Sequence, residues 1–184
     1  MTKTVKGSHI VQAQKWIDDR LGPGTFTEMT KEAGDNWRLI IPVAWYEVEV
    51  LNRALVQTSR RLGVSVAHMT AEIARLNAEN DLTTLYRVFL RVAQPQRVLV
   101  HTPRLWRTYV SFGDAKAVMN EPGHYVGQGD GFDQDLVDWG CGCWLGFIPA
   151  TIQVSGGKDP KGSIIKKWRN PNGRYSVQYE VTYN

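Results

Sequence analysis

Both cysteines of the chain fall in one ten-residue stretch, Asp138-Trp139-Gly140-Cys141-Gly142-Cys143-Trp144-Leu145-Gly146-Phe147, together with two tryptophans and three glycines. A thiol pair could bind a metal, act as a nucleophile or form a disulfide. Separated by one residue, the two cannot close an ordinary long-range bridge, which needs suitable Cα spacing and Cβ directions. As metal ligands they are too few, since a structural zinc takes four and a catalytic one three, so His124 or nearby aspartates would have to join them. Free cysteines also behave as small buried hydrophobes, and beside Gly140, Gly142 and Gly146 they would let a helix approach its neighbour closely. A thiol lining a pocket is the remaining alternative.

The other chemically capable residues do not converge. His9, His68, His101 and His124 are dispersed, and none stands in a catalytic motif. His101, before Pro103, suits a helix end, and His68 follows the N-cap candidate Ser65. Asp130, Asp133 and Asp135 lie among glycines but lack the later glutamate of a calcium loop, so helix capping explains them better. Lys158, Lys161, Lys166, Lys167, Arg169 and Arg174 form a basic stretch that suits the solvent face or edge of a sheet. The chain of 184 residues is 42% apolar and 22% charged, an ordinary globular composition. Its net charge of +4 is too small for a dedicated nucleic-acid binder. With no signal-peptide core, no run of about 18 apolar residues and no disulfide pattern, a cytoplasmic protein is expected.

Helices must position most of these residues. Ser8 is the expected N-cap of a first helix carrying Val11, Trp16, Ile17 and Leu21, stopped by Gly22-Pro23-Gly24. Thr25 and Glu28 have capping-box spacing for a second. An apolar connector spans 36–45. Val48, Leu51, Leu55 and Leu62 recur at helical spacing before Gly63, and Val66, Met69, Ile73 and Leu76 do so after Ser65. A further helical run holds Leu82, Leu85, Phe89 and Val92 and ends by Pro95, with shorter pieces over 96–101 and 103–112.

After Gly113 the period changes. Residues 115–121 and 124–128 are expected to be strands about Pro122-Gly123, with 127–131 a loop and 133–153 a helix. The alternation of Tyr175, Val177, Tyr179, Val181 and Tyr183 with polar residues marks a strand with one buried face. Asn172-Gly173 should turn it back on 163–169, both residues supplying positive φ. The expected fold is α+β, one domain over 1–184: a mostly helical part to residue 112, packed on a C-terminal antiparallel sheet (113–184) with a crossing helix. Gly142 and Gly146 share a face of that helix and are expected to meet the sheet.

Three pieces in order carry a resemblance: Val5-Lys6-Gly7-Ser8 with Gly22, Phe26 and Glu32-Ala33-Gly34; Leu62-Gly63-Val64-Ser65 and 95–113; and Trp139 to Tyr183. Together they resemble a family of small bacterial proteins multiplied in myxobacteria, itself distantly similar to the haem nitric oxide/oxygen-binding (H-NOX) domains, the vinyl-4-reductase-type ligand domains and the TRAPP trafficking subunits. The resemblance implies a buried cavity for an apolar or planar small molecule, expected between the 133–153 helix and the sheet and walled by Trp106, Tyr109, Trp139, Cys143, Trp144, Phe147 and Trp168. It implies a non-enzymatic sensor or signalling module without a resident cofactor. A haem-binding gas sensor is one alternative, with His101 as iron ligand. The haem branch also holds propionates with Tyr-x-Ser-x-Arg, of which Tyr109-Val110-Ser111-Phe112-Gly113 keeps the Tyr and Ser and lacks the arginine. A dimeric adaptor working through other signalling proteins is the third, with helices 46–62 and 65–80 as its self-association surface.

Overall fold

A computed structural model of the chain describes residues 2–84 and 94–184. The helical run through Leu85, Phe89 and Val92 lies outside the described residues.

The chain opens with β1 (Thr4–Lys6) and α1 (Gly7–Leu21). Ser8 does not cap α1, whose N-cap is Lys6 with no side-chain cap bond. Gly7 begins the helix instead, at a place where a Cβ would press on the Ile41 carbonyl. Helix α2 (Thr25–Glu32) starts from Gly24 without the expected capping box. The Thr25 hydroxyl donates back to Leu21 O, and Asp18 of α1 takes the Phe26 amide at 2.9 Å, so a neighbouring helix satisfies the free donors. The 36–45 connector ends in β2 (Trp45–Glu47), which pairs antiparallel with β1; three-residue strands carry too little periodicity to be read from sequence.

Helices α3 (Val48–Leu62) and α4 (Val66–Thr84) follow the spacing of their apolar residues. Gly63 ends α3 with φ 67° and its amide on Ser59 O, and Ser65 Oγ accepts the His68 amide at the head of α4. After the gap come α5 (Pro95–Leu99) and α6 (Thr102–Tyr109).

The sheet is antiparallel throughout, with strand order β3-β4-β6-β5, from β3 (Asp114–Glu121), β4 (His124–Phe132), β5 (Lys161–Arg169) and β6 (Tyr175–Thr182). Residues 127–131 are therefore no loop; they are the second half of β4. Its glycines are needed by neighbouring rings: a Cβ on Gly127 would come within 2.8 Å of Tyr179 Cε1, and one on Gly129 within 2.7 Å of Trp144 Nε1. At the β5–β6 turn only Gly173 has positive φ (81°), and Asn172 does not. The Gly173 amide donates to Asn170 O and the Asn170 amide to Arg174 O, closing a wider loop than a two-residue turn.

Helix α7 (Val137–Val154) crosses the sheet. It begins four residues later than expected, so Asp133 and Asp135 fall before it and Asp138 lies in its first turn. Asp133 precedes it and pairs with both Lys3 and Arg174, tying the N-terminal segment to the β5–β6 hairpin. α7 is apolar nearly all round because both its faces are covered. The Gly142–Gly146 face meets α4, not the sheet: a Cβ on Gly142 would lie 2.5 Å from Ala67 O and from Thr70 Cβ, and one on Gly146 would overlap the Ala71 carbonyl. The opposite face rests on the sheet, where the Trp144 ring stacks on Tyr179 (5.1 Å, 10°). The arrangement is three layers, α4 and its neighbours, then α7, then the sheet. One cluster of buried side chains draws on every layer.

Candidate functional site

Val5 and His9 of the N-terminal segment, Ala74 and Asn77 of α4, the inner face of α6 and the inner face of α7 surround a cavity. Its wall from α6 and the following residue is Thr102, Leu105, Trp106, Tyr109 and Val110; its wall from α7 is Trp139, Cys143, Trp144, Phe147 and Ile148. The sequence reading set a cavity between α7 and the sheet. It lies on the other side of α7, because the large inward side chains of β4 and β6 fill the space above the sheet.

Six of the seven residues expected to wall a pocket meet here: Trp106, Tyr109, Trp139, Cys143, Trp144 and Phe147. Trp168 does not. A bulge between Ile164 and Lys166 shifts the β5 register by one, so that Lys167 pairs with Val177 and Trp168 with Ser176. Directly paired residues share a face, so Lys167 turns toward α7, where it donates to Asp138 at 2.9 Å, and Trp168 turns away. The Lys166 ammonium lies 5.0 Å over the Trp168 ring.

The wall is largely made of rings packed on each other. Trp106 stacks on Trp144 (4.2 Å, 28°) and Trp144 on Tyr179, a continuous pile from α6 through α7 to the sheet. Trp139 is tilted 6.0 Å from Trp106 and Tyr109 lies 5.5 Å from Phe147. These contacts leave about 40 Å³ for the centres of water-sized occupants. One water needs about 10–15 Å³ by the same measure, so the cavity holds a molecule of a few heavy atoms.

Several polar groups at the wall are already spent. Trp106 Nε1 donates to Phe112 O at 2.9 Å, Thr102 Oγ1 to Leu99 O at 2.6 Å, and the Tyr109 hydroxyl to Asp81. Trp144 Nε1 is buried without a partner and points toward Gly129 on the sheet side. Others are not spent: His9 Nε2, Asn77 Oδ1 and Trp139 Nε1 are buried with no partner. His9 is 6% exposed and Asn77 2%. The His9 ring stands edge-on to Trp139 at 5.9 Å, and burial lowers its pKa from 6.5 to about 4, so the imidazole is neutral at physiological pH. Burial, and secondarily Cys141, pushes the Cys143 thiol well above its ordinary range, and burial raises Cys141 to about 11. Both thiols stay protonated and unreactive at neutral pH. Among the described residues, no three of His, Cys, Asp and Glu gather where they could hold a metal ion.

The sequence reading missed His9 and Asn77. The signal was present: His9, Ala13 and Trp16 repeat at helical spacing on one side of α1, as Met69, Ile73 and Asn77 do on α4, and all six are buried. Each polar residue ends an otherwise apolar stripe.

Haem does not fit these residues. His101 is exposed at the N-cap of α6 and is absent from the cavity wall. Of the propionate motif, Ser111 Oγ accepts from the Thr4 amide and bonds the Thr4 hydroxyl, Tyr109 serves Asp81, and Gly113 stands where arginine is required. The rings of Trp106, Trp139 and Trp144 pack on one another at the cavity, and the space left beside them is too small for a porphyrin.

No protein-family model matches the sequence, and no curated protein does. Solved structures do match. A Cs H-NOX mutant carrying 4-cyano-L-phenylalanine superposes with TM-score 0.73 at 14% identity, covering 97% of this chain and 96% of that one. A mutant of the T. tengcongensis H-NOX gives 0.71 at 14%, covering 97% of each. An oxygen-binding H-NOX domain related to soluble guanylate cyclases, in its oxygen complex, gives 0.68 at 13%, covering 97% and 95%. At such identity the likeness is one of backbone architecture, and over nearly its whole length this chain has an H-NOX-like α+β fold.

Proposed function

We propose that the chain is a non-enzymatic sensing module that takes a small, mainly apolar molecule directly into the cavity between α1, α4, α6 and α7, without haem. The observation that carries this is the cavity itself, closed by six aromatic and apolar residues of α6 and α7 on a fold whose solved neighbours are H-NOX domains. The protonated thiols and the unpaired His9 supply no acid, base or nucleophile for turnover. Its free buried cysteines suit the reducing cytoplasm. None of the described helices is long and apolar enough to cross a membrane. Native mass spectrometry of protein purified from its own cells should retain a species of low mass. Loss of that species in Phe147→Trp, which fills the cavity, supports the reading, and retention in that variant removes it.

A haem-dependent gas sensor is the second reading, favoured by the fold alone. Haemin titration decides it: a Soret band that disappears in His101→Ala would establish it, and a silent spectrum excludes it. A dimeric adaptor would have to use surfaces other than the apolar faces of α3 and α4, which are buried inside the molecule. Leu39, Ile41, Val43 and Trp45 are exposed and would be its candidates.

A further inference from the structure

Four residues that line one cavity carry a buried polar atom without a partner; Trp144 Nε1 points toward the sheet, which leaves His9 Nε2, Asn77 Oδ1 and Trp139 Nε1. An unpaired buried donor or acceptor loses its hydrogen bonds to water without replacement, so a fold that keeps three such atoms together carries a standing penalty that an occupant can relieve. Asn77 Oδ1 accepts only, Trp139 Nε1 donates only, and the neutral His9 Nε2 does one or the other according to tautomer. Among the described residues, no Asp, Glu, Lys or Arg lines the cavity, so this wall offers an ion no counter-charge.

We propose that His9 and Asn77 form a polar recognition end in this cavity, selecting a short neutral alcohol whose hydroxyl donates to Asn77 Oδ1 and bonds His9 Nε2 while its alkyl part lies on Phe147 and Trp106. The proposal rests on the cavity reading and narrows it from any small apolar molecule to a hydroxylated one. The cavity volume sets the length: room for a few water-sized centres admits ethanol and excludes a ring such as benzene, whose known cavity is about 150 Å³. The rings of Trp106, Trp139 and Trp144 are held by their mutual stacking and leave little room to widen.

The test is an NMR titration of the intact protein with ethanol and, separately, with propane, which matches ethanol in heavy-atom count and lacks the hydroxyl. The resonances followed are the Trp139 indole N–H and the His9 imidazole nitrogens. Both solutes should shift Trp139, and only ethanol should shift His9 Nε2. Asn77→Leu should weaken ethanol about tenfold, the loss of a hydrogen bond to a buried acceptor, and leave propane unchanged or tighter. His9→Phe makes the same comparison should Asn77→Leu fail to fold. Parallel changes for the two solutes, or an unmoved His9 Nε2 at saturating ethanol because ordered waters already satisfy it, would overturn the alcohol assignment and leave the cavity reading standing. If neither solute reaches Trp139, the cavity reading itself fails, and this proposal with it.

Discussion

His9 shows how one residue couples the site to the stability of the fold. Its imidazole has a pKa of about 4 in the folded protein because burial disfavours the charged form, against 6.5 when free. Between those values the unfolded chain holds a proton that the folded chain does not. Stability from this group is therefore complete above about pH 6.5, declines as pH falls toward 4, and changes no further below it, a total of about 3 kcal/mol. Melting temperature measured from pH 7 to pH 4 should fall more steeply for the wild type than for His9→Phe, and equal slopes would show that His9 is solvated. Little of this was legible in the sequence, where four scattered histidines look alike. His101 drew attention by its place before the sheet, yet it is exposed, and only the stripe it shares with Ala13 and Trp16 distinguishes His9. The aromatic wall was far more legible. Bulky rings beside glycines on α7 have few places to go but inward, and six of the expected residues do meet at one cavity. Trp168 was misplaced because a single bulge inverts the face of every residue after it, and a bulge leaves almost no trace in composition. Trp168→Phe should accordingly leave ethanol and xenon affinity unchanged.

At the scale of elements, glycines decide how closely the layers approach. Alanine for glycine inside a helix ordinarily adds about 1 kcal/mol of stability. At Gly146 the sign should reverse. The new Cβ would overlap the Ala71 carbonyl and lie 2.9 Å from the Arg75 amide nitrogen, both backbone atoms of α4 that can yield only by parting the helices. Gly146→Ala should lower stability by about 1–3 kcal/mol and Gly146→Leu by more, measured by denaturant unfolding. An unchanged or raised midpoint for Gly146→Ala would show that α4 and α7 are not in backbone contact there. The expectation that these glycines meet a close neighbour held while the identity of that neighbour changed from sheet to helix. Helical spacing tells which residues share a face, but not which of two covering layers the face meets when the helix is apolar all round. Strand β4 failed for a related reason: Gly127, Gly129 and Gly131 look like loop punctuation, and the first two are spaces for Tyr179 and Trp144. Where periodicity was clean, in α3 and in β6, the elements formed as expected.

Over the whole molecule, an H-NOX-like frame is combined with an interior packed with stacked rings. This stack borders the space bounded by α1, α4, α6 and α7, and it links α6 to the sheet through Trp106, Trp144 and Tyr179. A displacement of Trp106 would thus be passed through Trp144 to Tyr179 of β6. Haemin added to the purified protein should produce no protein-bound Soret band, with the spectrum remaining that of free haemin. The most direct test of the central claim is a crystal structure under xenon pressure, since xenon enters small apolar cavities without needing hydrogen bonds. The account predicts one buried xenon peak enclosed by Trp106, Trp139, Cys143 and Phe147, abolished in Phe147→Trp. A crystal with no xenon at that position, its space closed by the same side chains, would contradict it.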